Sequence, residues 1–170
     1  MASLIEELIN TLSEELDSYN QILEVTNAKT DIIIRGDVSA LQEITEKEQN
    51  IAGRLARLEK KRESHIEDIS LVININSKEL SLTKLVELLK GQEKERKELM
   101  DINNQLKETI EELQNRSEQN KALINQSLDL IDFTINAIRT SRVAPQTAGY
   151  ENKGKAFEGN TNNAMFDAKQ

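Results

Sequence analysis

Any catalysis or metal site in this chain would have to be built from one imidazole, His65, thirty carboxylates and no cysteine. A di-metal centre in a helical bundle needs Glu-x-x-His, so that carboxylate and imidazole share a face, but the residue three before His65 is Arg62. The motif is absent, and His65 reads as a surface or seam residue. Neighbouring carboxylates, Glu14 with Glu15 and Glu111 with Glu112, point about 100° apart on a helix, and both pairs read as solvated faces rather than as an acid–base couple. The six glycines lie singly and form neither Gly-x-x-x-x-Gly-Lys nor Gly-x-Gly-x-x-Gly, so no backbone cradle for phosphate is specified. These residue types predict no metal, no cofactor and no enzyme.

The basic run Arg54, Arg57, Lys60, Lys61 and Arg62 is the one candidate anion patch, but Glu59, Glu63, Glu67 and Asp68 interleave or follow it at pairing distance. It reads as a solvated helix face. A net charge of -8 opposes a phosphate backbone, so no nucleic-acid partner is expected. Lack of cysteine and of a positively charged, apolar leader points to a cytoplasmic chain that is mature from its first residues. The glycosylation sequons at Asn115 and Asn125 fall within a predicted helix of that unexported chain and are discounted. No stretch reaches the roughly 18 consecutive apolar residues a membrane-spanning helix requires. Asp129 and Asp132 also disfavour a lipid surface for the most apolar stretch, Leu128 to Ile138. No membrane insertion is expected.

The elements that would carry these residues are helices. Apolar residues at Ile5, Leu8, Leu12, Leu16, Tyr19, Leu23 and Ile33, with Thr26 and Thr30 in register, predict a helix over 3–35. Arg35-Gly36-Asp37 breaks it: Gly36 can close a helix in the left-handed conformation and Asp37 can cap the next. A second seam through Leu41, Ile44, Ile51, Leu55, Leu58, Ile66 and Ile69 predicts a helix over 38–69, with Glu48, Arg62 and His65 at positions the heptad would otherwise fill with apolar groups. A connector over 70–92 follows. Its run Leu71 to Ile75 alternates weakly like a strand, but no second strand is evident, so a continuation of the second helix is the favoured reading and no sheet is expected; Ser81 then precedes a short apolar helix. The third seam, from Leu99 to Ile138, predicts a helix over 93–140 with a polar middle at Ser117 and Asn120.

The expected fold is all-α: an elongated antiparallel hairpin plus a long third helix, a coiled-coil-like three-helix bundle forming one domain over 2–140. Residues 141–170, with four bases against three acids, Pro145 and three glycines, read as a disordered tail. Its aromatics, Tyr150, Phe157 and Phe166, are either docking anchors or incidental. After Leu123 the third helix is apolar on more than one face, wider than a two-helix contact buries. That stripe fits either a partner's amphipathic helix or a second copy of the chain, giving a monomer or weak homodimer, and composition does not rank the two. The rival reading is a structural coiled coil that self-associates through helix three.

Several stretches, in order, resemble the FlgN family of flagellar export chaperones. They are Gly36-Asp37-Val38-Ser39-Ala40-Leu41 through Glu46-Lys47-Glu48 to Leu58-Glu59-Lys60-Lys61-Arg62, the connector Ser81 to Leu88, Asn120-Lys121-Ala122-Leu123-Ile124-Asn125-Gln126-Ser127-Leu128, and Tyr150-Glu151-Asn152-Lys153-Gly154. One departure is Ser117, where the family often has a second Asn. The resemblance implies a type III export chaperone that takes the C-terminal amphipathic helix of the hook–filament junction proteins FlgK and FlgL and delivers them to the export gate protein FlhA. It implies client contacts at Leu123, Ile124, Leu128, Ile131, Phe133, Ile135 and Ile138, and gate docking through Tyr150 and Gly154.

Overall fold

The three long seams become helices in the computed structural model, which describes residues 2–143. Helix α1 is Ala2–Arg35, α2 is Val38–Ile73, α3 is Leu82–Leu88 and α4 is Glu93–Val143, with a single 3-10 turn at Ser77–Glu79 between α2 and α3. No strand occurs among the described residues. The chain divides into two units, Met1–Ile131 and Asp132–Gln170. The disordered tail expected from residue 141 onward falls, from residue 144, outside the described residues, and α4 itself continues through Val143.

The α1–α2 turn closes by local chemistry. Gly36 has φ 67°, where a side chain would be strained, and its N–H donates to the Ile33 carbonyl at 3.1 Å while the Asp37 N–H donates to Ile32 at 3.3 Å. Two carbonyls left over at the end of α1 are thereby satisfied. The Asp37 carboxylate then accepts from the Ala40 N–H at 3.0 Å and caps α2. At the far end, α2 runs four residues past the predicted Ile69. Leu71, Val72 and Ile73 continue the helix and do not form a strand, because Ile69 and Ser70 are still buried against the core. The stop comes at Asn74, which takes the left-handed conformation at φ 55° and bonds back to Ser70. Ser81 caps α3 by accepting from the Lys84 N–H at 3.2 Å.

In the first unit the core sits at the end of the bundle where α1 starts and α2 finishes. Ile5, Leu8 and Leu12 of α1, Ile69 of α2, Leu80, Leu85, Val86 and Leu89 of the connector, and Leu99 and Leu106 of α4 form one buried cluster. The connector is therefore a plug that closes the bundle end. Contacts along α4 then climb α1 in the same direction: Thr109 lies 3.4 Å from Asn20, and Asn120 reaches Thr26 and Thr30. Within this unit α4 runs parallel to α1 and antiparallel to α2.

Polar residues in the seams are paired between α1 and α2. Glu15 corrects the sequence reading: it is fully buried, its Oε2 lies 3.2 Å from Arg62 Nη1, and it is not on a solvated face. Helical spacing put Glu14 in water but turned Glu15, one step on, into the hairpin seam, opposite the Arg62 that interrupts the apolar pattern of α2. Its second oxygen accepts no hydrogen bond. Burial, aided by the nearby Glu59 charge and opposed by Arg62, holds the Glu15 carboxyl above its ordinary value. One turn further, the Tyr19 hydroxyl donates to Glu59 at 3.0 Å, and burial followed by that bond pushes its pKa up to about 12. Glu48 receives Lys29 at 2.6 Å, and His65 faces Glu7 at 3.8 Å. Each polar interruption of the α2 seam thus meets a partner on α1.

Candidate protein-binding surface

Where α1 turns into α2, the packing of α4 changes character. Ile110 and Leu113 are half-buried, and the next fully inward residue of α4 is polar: Asn120 donates to the Thr26 carbonyl at 2.9 Å and accepts from the Thr30 hydroxyl at 2.7 Å. The Thr26 hydroxyl in turn lies 2.8 Å from the Ile22 carbonyl and 3.2 Å from Glu48, which holds Lys29. A polar layer therefore ties all three long helices together at this level. Buried at 4 % exposure and satisfied on both ends of its amide, Asn120 specifies where α4 lies on α1, which an apolar contact would do less selectively.

Past Asn120 no described side chain of α4 is buried. Instead a groove of about 220 Å³ opens, lined by Ile32, Ile33, Gly36, Asp37, Val38 and Leu41 of the hairpin tip and by Ile124, Ser127, Leu128 and Ile131 of α4. Its walls are almost wholly apolar. Leu128 and Ile131 are each 53 % exposed, and Val38 is 76 % exposed. In the second unit, taken by itself, Phe133, Ile135 and Ile138 are exposed on α4.

Of the residues singled out from sequence, Ile124, Leu128 and Ile131 share the groove, and Leu123 is half-buried but does not line it. Phe133, Ile135 and Ile138 are exposed as a set of their own, and Tyr150 and Gly154 lie outside the described residues. Sequence reasoning missed the hairpin tip. The signal was the run Ile32-Ile33-Ile34 followed by Val38, more consecutive apolar residues than one seam uses.

Among the described residues no group of His, Asp and Glu side chains is placed to hold a metal, and no helix is long and apolar enough to cross a membrane. The Arg54–Arg62 run does not form a single basic face: Arg62 turns inward to Glu15, and Arg54 donates to Gln21 on α1. What the unit offers is apolar surface on a rigid helical frame, the chemistry of holding another protein segment.

Neither curated proteins nor solved structures give a match to this chain. A family model described as FlgN protein matches residues 1–157. By that match over nearly its whole length, the chain belongs to the FlgN family, chaperones of flagellum biogenesis and type III export.

Proposed function

We propose that this chaperone works in the cytoplasm and binds the C-terminal amphipathic helix of the hook–filament junction proteins FlgK and FlgL on the late part of α4, then delivers them to the export gate protein FlhA. The reading is supported by one observation above all: in a FlgN-family chain, the stretch of α4 that resembles the client site presents Leu128 and Ile131 to solvent instead of burying them. Covering such side chains removes apolar surface from water on both partners, and it masks the client stripe that would otherwise drive aggregation. The action is binding, with no catalytic step.

Leu123, Ile124, Leu128, Ile131, Phe133, Ile135 and Ile138 are the proposed client contacts. Tyr150 is the proposed gate anchor, since an aromatic ring brings much contact area for little side-chain entropy, and Gly154 closes its motif. Replacing Ile131 and Ile135 together by Asp should abolish client capture in a pulldown while far-UV circular dichroism stays strongly helical. Capture at the wild-type level would refute the assignment. Tyr150→Ala should leave client affinity unchanged and weaken FlhA binding, measured by calorimetry. The chain is proposed to be a monomer or weak homodimer that forms a one-to-one complex with its client, which sedimentation at low concentration distinguishes from a self-associating coiled coil.

A further inference from the structure

The basic run of α2 divides, by helical spacing, into cations with a carboxylate in reach and cations without one. Lys60 has Glu63 three residues on, and Arg62 has Glu59 three residues back as well as buried Glu15 across the seam. Arg54, Arg57 and Lys61 differ: no position three or four residues from any of them holds an acid. Arg57 has Arg54 at i−3, Lys60 at i+3 and Lys61 at i+4, like-charge neighbours that destabilise a helix. All three side chains are exposed, and among the described residues none of them forms an ion pair. Arg54 donates to the neutral Gln21 of α1. In a chain with 30 acids against 22 bases, adjacent cations left without carboxylates cost helix stability and return nothing within the fold.

Arg54 and Lys61 are seven residues apart, about 10 Å along one face, with Arg57 on the column beside them. Arg54 and Arg57 border a hollow of about 300 Å³ with Asn50 and half-buried Ile51. Glu14 and Asp17 of α1 line a neighbouring hollow with Arg54, outside ion-pair distance, and neither Arg57 nor Lys61 lines it. The charged groups of Arg57 and Lys61 therefore stay unspent. Guanidinium forks match carboxylates, which they hold bidentately, and three cations spread over about 10 Å suit several carboxylates on one segment better than a single small anion. A nucleic-acid backbone is opposed by the net charge of -8. A lipid surface calls for apolar side chains to insert beside the bases, and the exposed residues between and beside these are Asn50, Gly53 and Ser64.

We infer that Arg54, Arg57 and Lys61 form a docking surface for a Glu- or Asp-rich segment of a partner protein. It lies about 20 Å along α2 from Leu41 of the apolar groove, and it is separate from the proposed client site.

The test uses the full chain and a helical peptide with Glu at i, i+3 and i+7, the spacing of the three cations, followed by fluorescence anisotropy beside a Gln version of the same peptide. The Glu peptide should bind and the Gln peptide should not, and raising salt from about 0.05 to about 0.5 M should weaken binding about tenfold or more. Arg54→Gln with Arg57→Gln should also weaken it about tenfold or more. Lys90→Gln with Lys94→Gln removes the same charge away from α2 and should leave affinity unchanged. Equal weakening by the two double variants would mean that the peptide reads net charge alone, which overturns the site, as does failure of the Glu peptide to bind at low salt. Binding of the full chain to phosphatidylserine vesicles, lost in the Arg54/Arg57 variant while the peptide is ignored, would reassign the surface to a membrane. Arg57→Gln should melt no lower than wild type, because it relieves like-charge repulsion; a lower melting temperature would show that Arg57 serves the fold and would overturn the argument from unpaired cations. Client capture by the Arg54/Arg57 variant should be unchanged, so this inference and the client-site assignment fail separately.

Discussion

The two ends of the first unit treat the same residue types in opposite ways. Around Leu8, Leu12, Ile69 and Leu99 the three long helices are plugged by the connector, and Leu and Ile side chains disappear from solvent. Around Val38, Leu128 and Ile131 there is no plug, and these equally apolar side chains, each more than half exposed, line an open groove. Burial against the chain's own residues is what stabilises a fold, at roughly 25 cal/mol per Å² of apolar surface, so the plugged end carries the stability. The open end contributes little to folding and keeps that free energy available for a partner. Between them the polar layer at Asn120 marks where one role gives way to the other.

This contrast breaks most sharply under truncation of single side chains. Leu99→Ala, at a position with no exposure, should cost about 3 to 4 kcal/mol in urea unfolding, while Leu128→Ala should cost less than about 0.5 kcal/mol. Equal costs would erase the distinction between the ends. Arg62→Ala leaves Glu15 buried without its cation and should destabilise by about 3 kcal/mol, the low end for an orphaned buried charge because Arg62 is itself 30 % exposed. Asn120→Ala should cost roughly 1 to 2 kcal/mol in the same measurement, since the Thr30 hydroxyl and the Thr26 carbonyl each lose their hydrogen bond to its amide.

The smallest expected effect is a pH dependence. Burial raises the Glu15 pKa above 4.5, so the folded chain holds that proton more tightly than the unfolded one. The stabilisation it provides is complete below the unfolded value and is lost as pH rises through the higher folded value. Glu15→Gln cannot ionise and escapes this loss. Relative to that variant, wild type should become less stable as pH rises from about 4 to about 7, measured by urea unfolding at the two pH values. A constant difference would mean that Arg62 fully compensates the burial.

Legibility from sequence followed the range of the interactions. Gly36 and Asp37 act on neighbours within five residues, and the turn was readable from their types alone. Ser81 and the long seams were readable for the same reason. Asn120 was visible as a polar intrusion into an apolar register, as were Thr26 and Thr30 in the first seam, but they lie some 90 residues away and nothing local pairs them with it. Glu15 misled because helical spacing assigns a face only relative to a known neighbour. Adjacent to Glu14 it looked solvated, and only the position of α2 brought Arg62 over it. The hairpin-tip wall went unread because an exposed apolar residue and a seam residue have the same side chain.

The order of residues by itself determined which segments are helical, where α1 breaks before α2 and which stripe of each is apolar, because hydrogen bonds and side-chain spacing along a helix are set within a few positions; the far end of α2 lay four residues beyond the reading. Tertiary structure alone decided that α4 lies along α1 in the same direction, that Glu15 is buried, and that one end of the unit is closed by the connector while the other stays open. Those outcomes depend on which faces meet across tens of residues, where many pairings are compatible with the same periodicity and packing selects one.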